Sequence, residues 1–174
     1  MEGFSVMKQI SKEVLMETNE KDTSFRNRAS FGKRMEFSIL AEMLAEGLDI
    51  YTPLVDDNGI DAVIRKEDGS FIEIQIKARS GNEKLFAAIK HEKRPNYWFI
   101  FRTEGEKDSS GRPHTWVFSS EDFVANASVN KKGKNEGKYS LSLSADNHDK
   151  FKIDFANKDD GFRARLFGSK DCIK

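Results

Sequence analysis

Along the first hundred residues, apolar positions recur first at helical spacing and then at the spacing of strands. Between Phe4 and Met16 they stand at Val6, Ile10, Val14 and Leu15, a helical period. The polar stretch 17–30, ETNEKDTSFRNRAS, has no such period and reads as a linker. A second helix is predicted over 32–48, where Met35, Ile39, Leu40, Met43, Leu44 and Leu48 form a broad apolar face and Gly47 offers a terminator. Three short extended segments follow, Ile50–Leu54, Ile60–Arg65 and Phe71–Ala78, punctuated by the turn pairs Asn58-Gly59 and Asp68-Gly69. Asn82 suits the cap of a short helix reaching Lys90, with Leu85, Phe86 and Ile89 on one face. The run Asn96–Phe101, NYWFIF, is apolar on both faces, as in a buried central strand.

Beyond Phe101, EGEKDSSGRP reads as a loop and HTWVF as a strand. Ser119 and Asp122 suit a helix start, KKGKNEGK a surface loop, and YSLSL an alternating strand. The tail segment FKIDF fits either a strand or a short helical turn. The 174 residues are enough for one domain with its own core. Its parts are an N-terminal helix and linker over 1–31, a core over 32–101 and a C-terminal extension over 104–174.

Charge balances at 29 basic against 29 acidic residues, so composition points to no polyanionic partner, although a local basic face remains compatible with a zero sum. Cys172 is the single cysteine, so no internal disulfide is possible and no CxxC or Cys/His pattern supports a zinc site. The N-terminus lacks the apolar core of a signal peptide, and no apolar run is long enough for a membrane span. A soluble cytoplasmic protein is the expectation.

The chemistry concentrates in Gly59–Ser80, GIDAVIRKEDGSFIEIQIKARS. Alternate residues of a strand share a face, so Glu73, Gln75 and Lys77 point one way and Ile72, Ile74 and Ile76 the other. Buried polar groups need partners, and a metal with a substrate phosphate would supply them. Asp61, just after the Asn-Gly turn, can face Gln75 across the hairpin. Mg2+ takes oxygen ligands and keeps several waters, so Asp61 and the Gln75 amide oxygen meet its needs. Lys77 follows at roughly 6–7 Å along the face, placed to orient an attacking water or offset charge on phosphate. Glu36 lies on the edge of the second helix's apolar face, where it is either a residue compensating the helix dipole or part of the same site.

A helix glutamate, then Gly59-Ile60-Asp61, then Gln75-Ile76-Lys77 on the next strand, resembles the PD-(D/E)XK nuclease superfamily, in the Q-x-K form of Mrr-type enzymes. The resemblance spans about residues 32–101. It implies an α/β, restriction-endonuclease-like core with a mixed central β-sheet flanked by helices (αβββαβ), to which the C-terminal segment adds an α+β extension. It also implies metal-dependent hydrolysis of phosphodiester bonds, in DNA before RNA, with Mg2+ or Mn2+. By that resemblance Asp61 binds the metal, Gln75 stands where the family carries Asp or Glu, Lys77 is the catalytic lysine and Glu36 the auxiliary glutamate. Gln75 departs from the usual acid, and Glu73 is the nearest residue able to restore the charge. A module that keeps the fold without catalysis, binding nucleic acid or a protein, is the alternative. Cutting both strands of a duplex would favour a homodimer.

Arg26, Arg28, Lys33 and Arg34 cluster without an acid between Phe25 and Met35, as a phosphate-binding patch or as ordinary surface charge. The KKGKNEGK loop has the same two readings and lacks the spacing of a P-loop. His91, His114 and His148 form no ligand pair, although His91 can approach the site.

Overall fold

A computed structural model describes residues 23–55, 58–143 and 148–168, with side chains from residue 30 onward. The predicted helix over Phe4–Met16 and Cys172 lie outside the described residues. The chain divides into two units, Met1–Arg34 and Met35–Lys174. The second carries every strand among the described residues.

Helix α1 spans Thr23–Ala45 and so begins inside the segment expected to be a linker. Residues 23–31 contain neither proline nor glycine, and their helix shows no apolar period because it needs none to form. Its end follows the expectation. Gly47 takes φ +78°, its N–H donates to Leu44 O at 2.9 Å, and the Leu48 N–H donates to Met43 O at 3.2 Å. That paired closure satisfies the last carbonyls and folds Leu48 back onto Met43 in the core.

The strands are β1 Asp49–Tyr51, β2 Ala62–Arg65, β3 Phe71–Arg79, β4 Leu85–Ile89, β5 Tyr97–Lys107, β6 Pro113–Ser119, β7 Ser128–Val129, β8 Tyr139–Ser142 and β9 Lys152–Ile153. Helix α2 covers Ser120–Asn126 and α3 Phe162–Phe167. Six strands form a mixed sheet in the order β1-β2-β3-β5-β6-β9, in which only β3 and β5 run parallel. A second, antiparallel sheet has the order β4-β8-β7. The architecture is mixed α/β with a central mixed sheet, as expected. No helix among the described residues is long and apolar enough to cross a membrane.

Residues 82–90 depart from the expected second helix. They form β4, whose pairing with β8 carries a bulge: Phe86 faces Leu141 and Ile89 faces Tyr139, three residues against two. Ala88 absorbs the extra residue at φ +59°. The bulge turns Phe86 and Ile89 to the same buried side, so a strand acquires the three-residue apolar spacing of a helix. Likewise β5 runs on through Glu104–Lys107, which the sequence suggested as loop. The helix start at Ser119 is as expected: its hydroxyl accepts from the Asp122 N–H at 3.1 Å. FKIDF resolves into a 3-10 turn ending at Phe151 followed by β9.

The C-terminal extension is woven into the core. Strands β6 and β9 widen the large sheet, while β7 and β8 complete the small one. Two apolar clusters sandwich the large sheet. One joins Ile39, Leu40 and Met43 of α1 with Ile72, Ile74, Ile76, Ile100 and Phe162. The other joins Tyr97, Phe99, Phe101 and Phe118 with Phe86, Ile89, Phe123 and Leu141. Each fully buried aliphatic or aromatic side chain contributes about 1.5–3 kcal/mol. Between α1 and β5 the fully buried Arg102 donates through Nη1 and Nη2 to Glu42 at 2.8 and 2.7 Å, and through Nε to Thr115 Oγ1 at 2.9 Å.

Candidate functional site

Strand β3 organises the site because it is long while its neighbour β2 is short. The β2–β3 pairing covers Ala62↔Ile74 to Arg65↔Phe71 and stops. One step further Asp61 stands opposite Gln75. The Asp61 N–H still donates to Ile74 O at 2.8 Å, but the next β3 donor, Ile76 N–H, goes to the Asp61 carboxylate at 2.6 Å. Asp61 thus ends the ladder with its own side chain. Past this point β3 is paired only on its β5 side, where Gln75, Lys77 and Arg79 face Phe99, Phe101 and Thr103 in register.

Gln75 is buried, and its Oε1 has no hydrogen-bond partner among the described residues. Its amide packs against the turn that precedes Asp61. Asn58 and Gly59 both take φ +71°, and a Cβ on Gly59 would overlap the Gln75 amide nitrogen. Tyr97 pins this turn by donating to Gly59 O at 2.8 Å. Burial, joined by the nearby Asp61 and Glu73 charges, outweighs Arg94 and pushes the Tyr97 hydroxyl up to about 12, so it stays a donor. Arg94 lies over the Tyr97 ring at 4.1 Å and pairs with Glu73 at 3.3 Å. Glu73, two residues before Gln75 on the same strand face, is thus paired with Arg94.

Gln75 and Lys77 open onto a cleft of about 800 Å³ between β3 and the segment 86–94. Lys77, Arg79, Lys90, Lys93 and Arg94 line it against the single carboxylate of Glu92. Lys93 is paired with Glu121 and Arg94 with Glu73, whereas Lys77, Arg79 and Lys90 have no ion-pair partner among the described residues. Charge that sums to zero over the chain is therefore segregated, with a cationic wall here. His91 also lines the cleft, its Nε2 2.7 Å from Ser120 Oγ and its ring stacked on Tyr97. Burial, with the Arg94 charge beside it, lowers its pKa to about 4, so it is neutral at pH 7.

The structure brings Gln75 and Lys77 to one cleft and sets Asp61 opposite Gln75 behind the Asn58–Gly59 turn. Glu36 has a different setting. It is half-buried on α1, whose Ile39 and Leu40 pack with Ile74 and Ile76, on the face of β3 opposite to Gln75 and Lys77. Lys33 and Arg34 are exposed on α1, and the side chains of Arg26 and Arg28 lie outside the described ones. The cleft's cations at Arg79, Lys90, Lys93 and Arg94 escape sequence reasoning. The only signal is five basic residues from Arg79 to Arg94, in a segment that resembles a helix.

The donor set suits a hard cation. Gln75 Oε1 is an unused buried acceptor, and Asp61 brings one carboxylate to the same face of the hairpin. Among the described residues no three of His, Cys, Asp and Glu gather into a metal-binding group, so such a cation would keep most of its waters.

The fold and cleft define a mixed α/β domain with an amide, a carboxylate and a cationic wall at the frayed end of a hairpin. No protein-family model and no curated protein matches the chain. Among solved structures it is similar to a bacterial homing endonuclease, I-Ssp6803I, at 16% identity and a TM-score of 0.45, over 71% of this chain and 80% of that one.

Proposed function

We propose that the cleft hydrolyses phosphodiester bonds of nucleic acid, DNA before RNA, with Mg2+ or Mn2+ held by Asp61 and Gln75. The observation that carries this reading is the Gln75 amide oxygen, buried without a hydrogen-bond partner among the described residues, on the same cleft as Lys77, which has no ion-pair partner among them. The bound cation would lower the pKa of a water and offset charge developing on the phosphate. The chain's own residues supply the remainder. Asp61 and Gln75 give oxygen ligands, the first fixed by the Ile76 N–H and the second by its packing on Gly59. Lys77 orients the attacking water and donates to the phosphate oxygens. The cations along the cleft draw in a polyanion. The Q-x-K spacing supports the same assignment. In it, Glu36 is an auxiliary residue that would have to reach the Asp61 end of the sheet from the α1 side; Arg26, Arg28, Lys33 and Arg34 are a separate candidate patch for phosphate. Two copies would serve to cut both strands of a duplex.

Purified protein given plasmid or single-stranded DNA with Mg2+ or Mn2+ tests the proposal. Asp61→Asn keeps an acceptor for the Ile76 N–H and Lys77→Ala removes only a half-buried cation, so both should fold and lose cleavage. Cleavage undiminished in both ends the assignment. A second reading, a nuclease-fold module that binds without cutting, is favoured by the neutral Gln75 and by Asp61's commitment to a backbone N–H. Mg2+ titration by calorimetry separates the two: DNA binding with no metal uptake supports the inactive module.

A further inference from the structure

One cation of the cleft has no specific contact assigned in this reading beyond its share of the general charge. Arg79 ends β3 on the same face as Gln75 and Lys77 and lines the same cleft. Its Nε is buried without a hydrogen-bond partner among the described residues. Its guanidinium carbon stands 5.7 Å from the centre of the Phe86 ring, which limits the arc through which the fork can swing. Thr103, opposite Arg79 on β5 and fully buried, also has its hydroxyl unpartnered. Leaving a buried donor unsatisfied is costly, and among the described residues no carboxylate pairs with Arg79. Arg79 lines the cleft, and an acceptor carrying negative charge there would meet its guanidinium.

We infer that Arg79 binds the phosphate next to the reacting one, so that the cleft grips two consecutive phosphates of one strand. The inference rests on the proposed nuclease reading for the identity of the reacting phosphate. Lys77 and Arg79 are two residues apart on one face, roughly 6–7 Å, close to the spacing of consecutive phosphates along an extended strand. The guanidinium fork can hold such a group by two parallel hydrogen bonds, which a lysine cannot. Lys90 borders the same cleft on the β4 side and adds charge without a fork. Arg79 is thus a binding residue that sets where the strand lies, while Lys77 acts at the bond that breaks.

The test is fluorescence anisotropy of a labelled oligothymidylate without divalent metal, across a series of salt concentrations, so that cleavage plays no part. Arg79→Ala and the length-preserving Arg79→Gln should bind about tenfold more weakly, the loss expected for a charged hydrogen-bond donor. Their plots of log affinity against log salt should be shallower by about 0.7, one phosphate contact on a single strand. Lys158→Ala, an exposed lysine outside the cleft, should change neither. Arg79 variants that melt like the parent and bind with its affinity and slope overturn the inference. A parent protein that binds in this Arg79-dependent way yet never cuts DNA with Mg2+ or Mn2+ sinks the nuclease reading and leaves the Arg79 site standing. Cleavage at sub-saturating DNA that Arg79→Gln leaves untouched sinks the Arg79 site alone.

Discussion

Gly59→Ala is the substitution in which fold and site are most directly coupled. Two costs add there. The residue sits at φ +71°, where an L side chain is disfavoured by about 1–2 kcal/mol. The new methyl would also overlap the Gln75 amide nitrogen, and the turn cannot retreat freely because Tyr97 holds Gly59 O at 2.8 Å. Gln75 must therefore yield, at about 0.5–1.5 kcal/mol for a displaced rotamer. Gly69→Ala is the internal control: φ is +82°, and nothing lies within 4 Å of its would-be Cβ. Urea denaturation should show Gly69→Ala destabilised by about 1–2 kcal/mol and Gly59→Ala by about 2–3 kcal/mol, with the m-value unchanged. The functional asymmetry should be larger than the energetic one. Moving the Gln75 oxygen removes a proposed metal ligand, so Gly59→Ala should lose metal-dependent cleavage while Gly69→Ala keeps it. Equal destabilisation by the two substitutions, or cleavage retained in Gly59→Ala, would refute the packing of Gln75 on this turn as the feature that positions it.

Three further outcomes follow from other parts of the molecule. Glu42→Ala strands the fully buried Arg102 guanidinium and should cost about 3 kcal/mol by chemical denaturation, whereas Glu42→Leu with Arg102→Met should recover most of it. His91 is neutral when folded, with its pKa lowered from 6.5 to about 4, so the unfolded chain binds the extra proton between those values. Stability present above pH 6.5 should therefore decline as pH falls toward 4, by on the order of 1–2 kcal/mol after discounting for partial exposure, and His91→Gln should flatten that part of a melting-temperature profile. Ala88→Gly relieves the positive φ in β4 and should raise stability by roughly 0.5–1 kcal/mol; a loss of stability would mean that the bulge does not strain the chain.

How much of this was legible depended on whether the signal was local. Asp61, Gln75 and Lys77 could be read because strand alternation and an Asn-Gly turn are short-range patterns, and the β2–β3 register ends at Ala62↔Ile74, one step before Asp61 and Gln75. The Gly47 terminator and the Ser119 cap were legible for the same reason. Segment 82–90 misled because a bulge depends on the partner strand: only the pairing of Phe86 with Leu141 and Ile89 with Tyr139 shows that the three-residue spacing is not helical. The cationic cleft was hidden for that reason too, since its far wall exists only where β4 is carried by β8. Arg102 looks like the polar end of an apolar run until Glu42, from another element, turns it into a buried pair. The early start of α1 left no trace in the apolar pattern because that pattern reports burial, not helicity.

The site follows from one interruption of regular pairing. A β2 as long as β3 would satisfy the backbone of Gln75–Arg79 on both sides and build a wider, closed sheet. The left-handed pair Asn58–Gly59 turns the chain away instead, and Asp61 takes the Ile76 N–H that a backbone carbonyl would otherwise accept. The overhanging end of β3 is thereby held on its β5 side alone, with side chains at alternate positions presented to a cleft rather than to a neighbouring strand. An aspartate is well suited to this splice because it satisfies the orphaned donor without extending the ladder. Any residue that merely restored pairing at position 61 would lengthen β2 and close the place where Gln75, Lys77 and Arg79 line up.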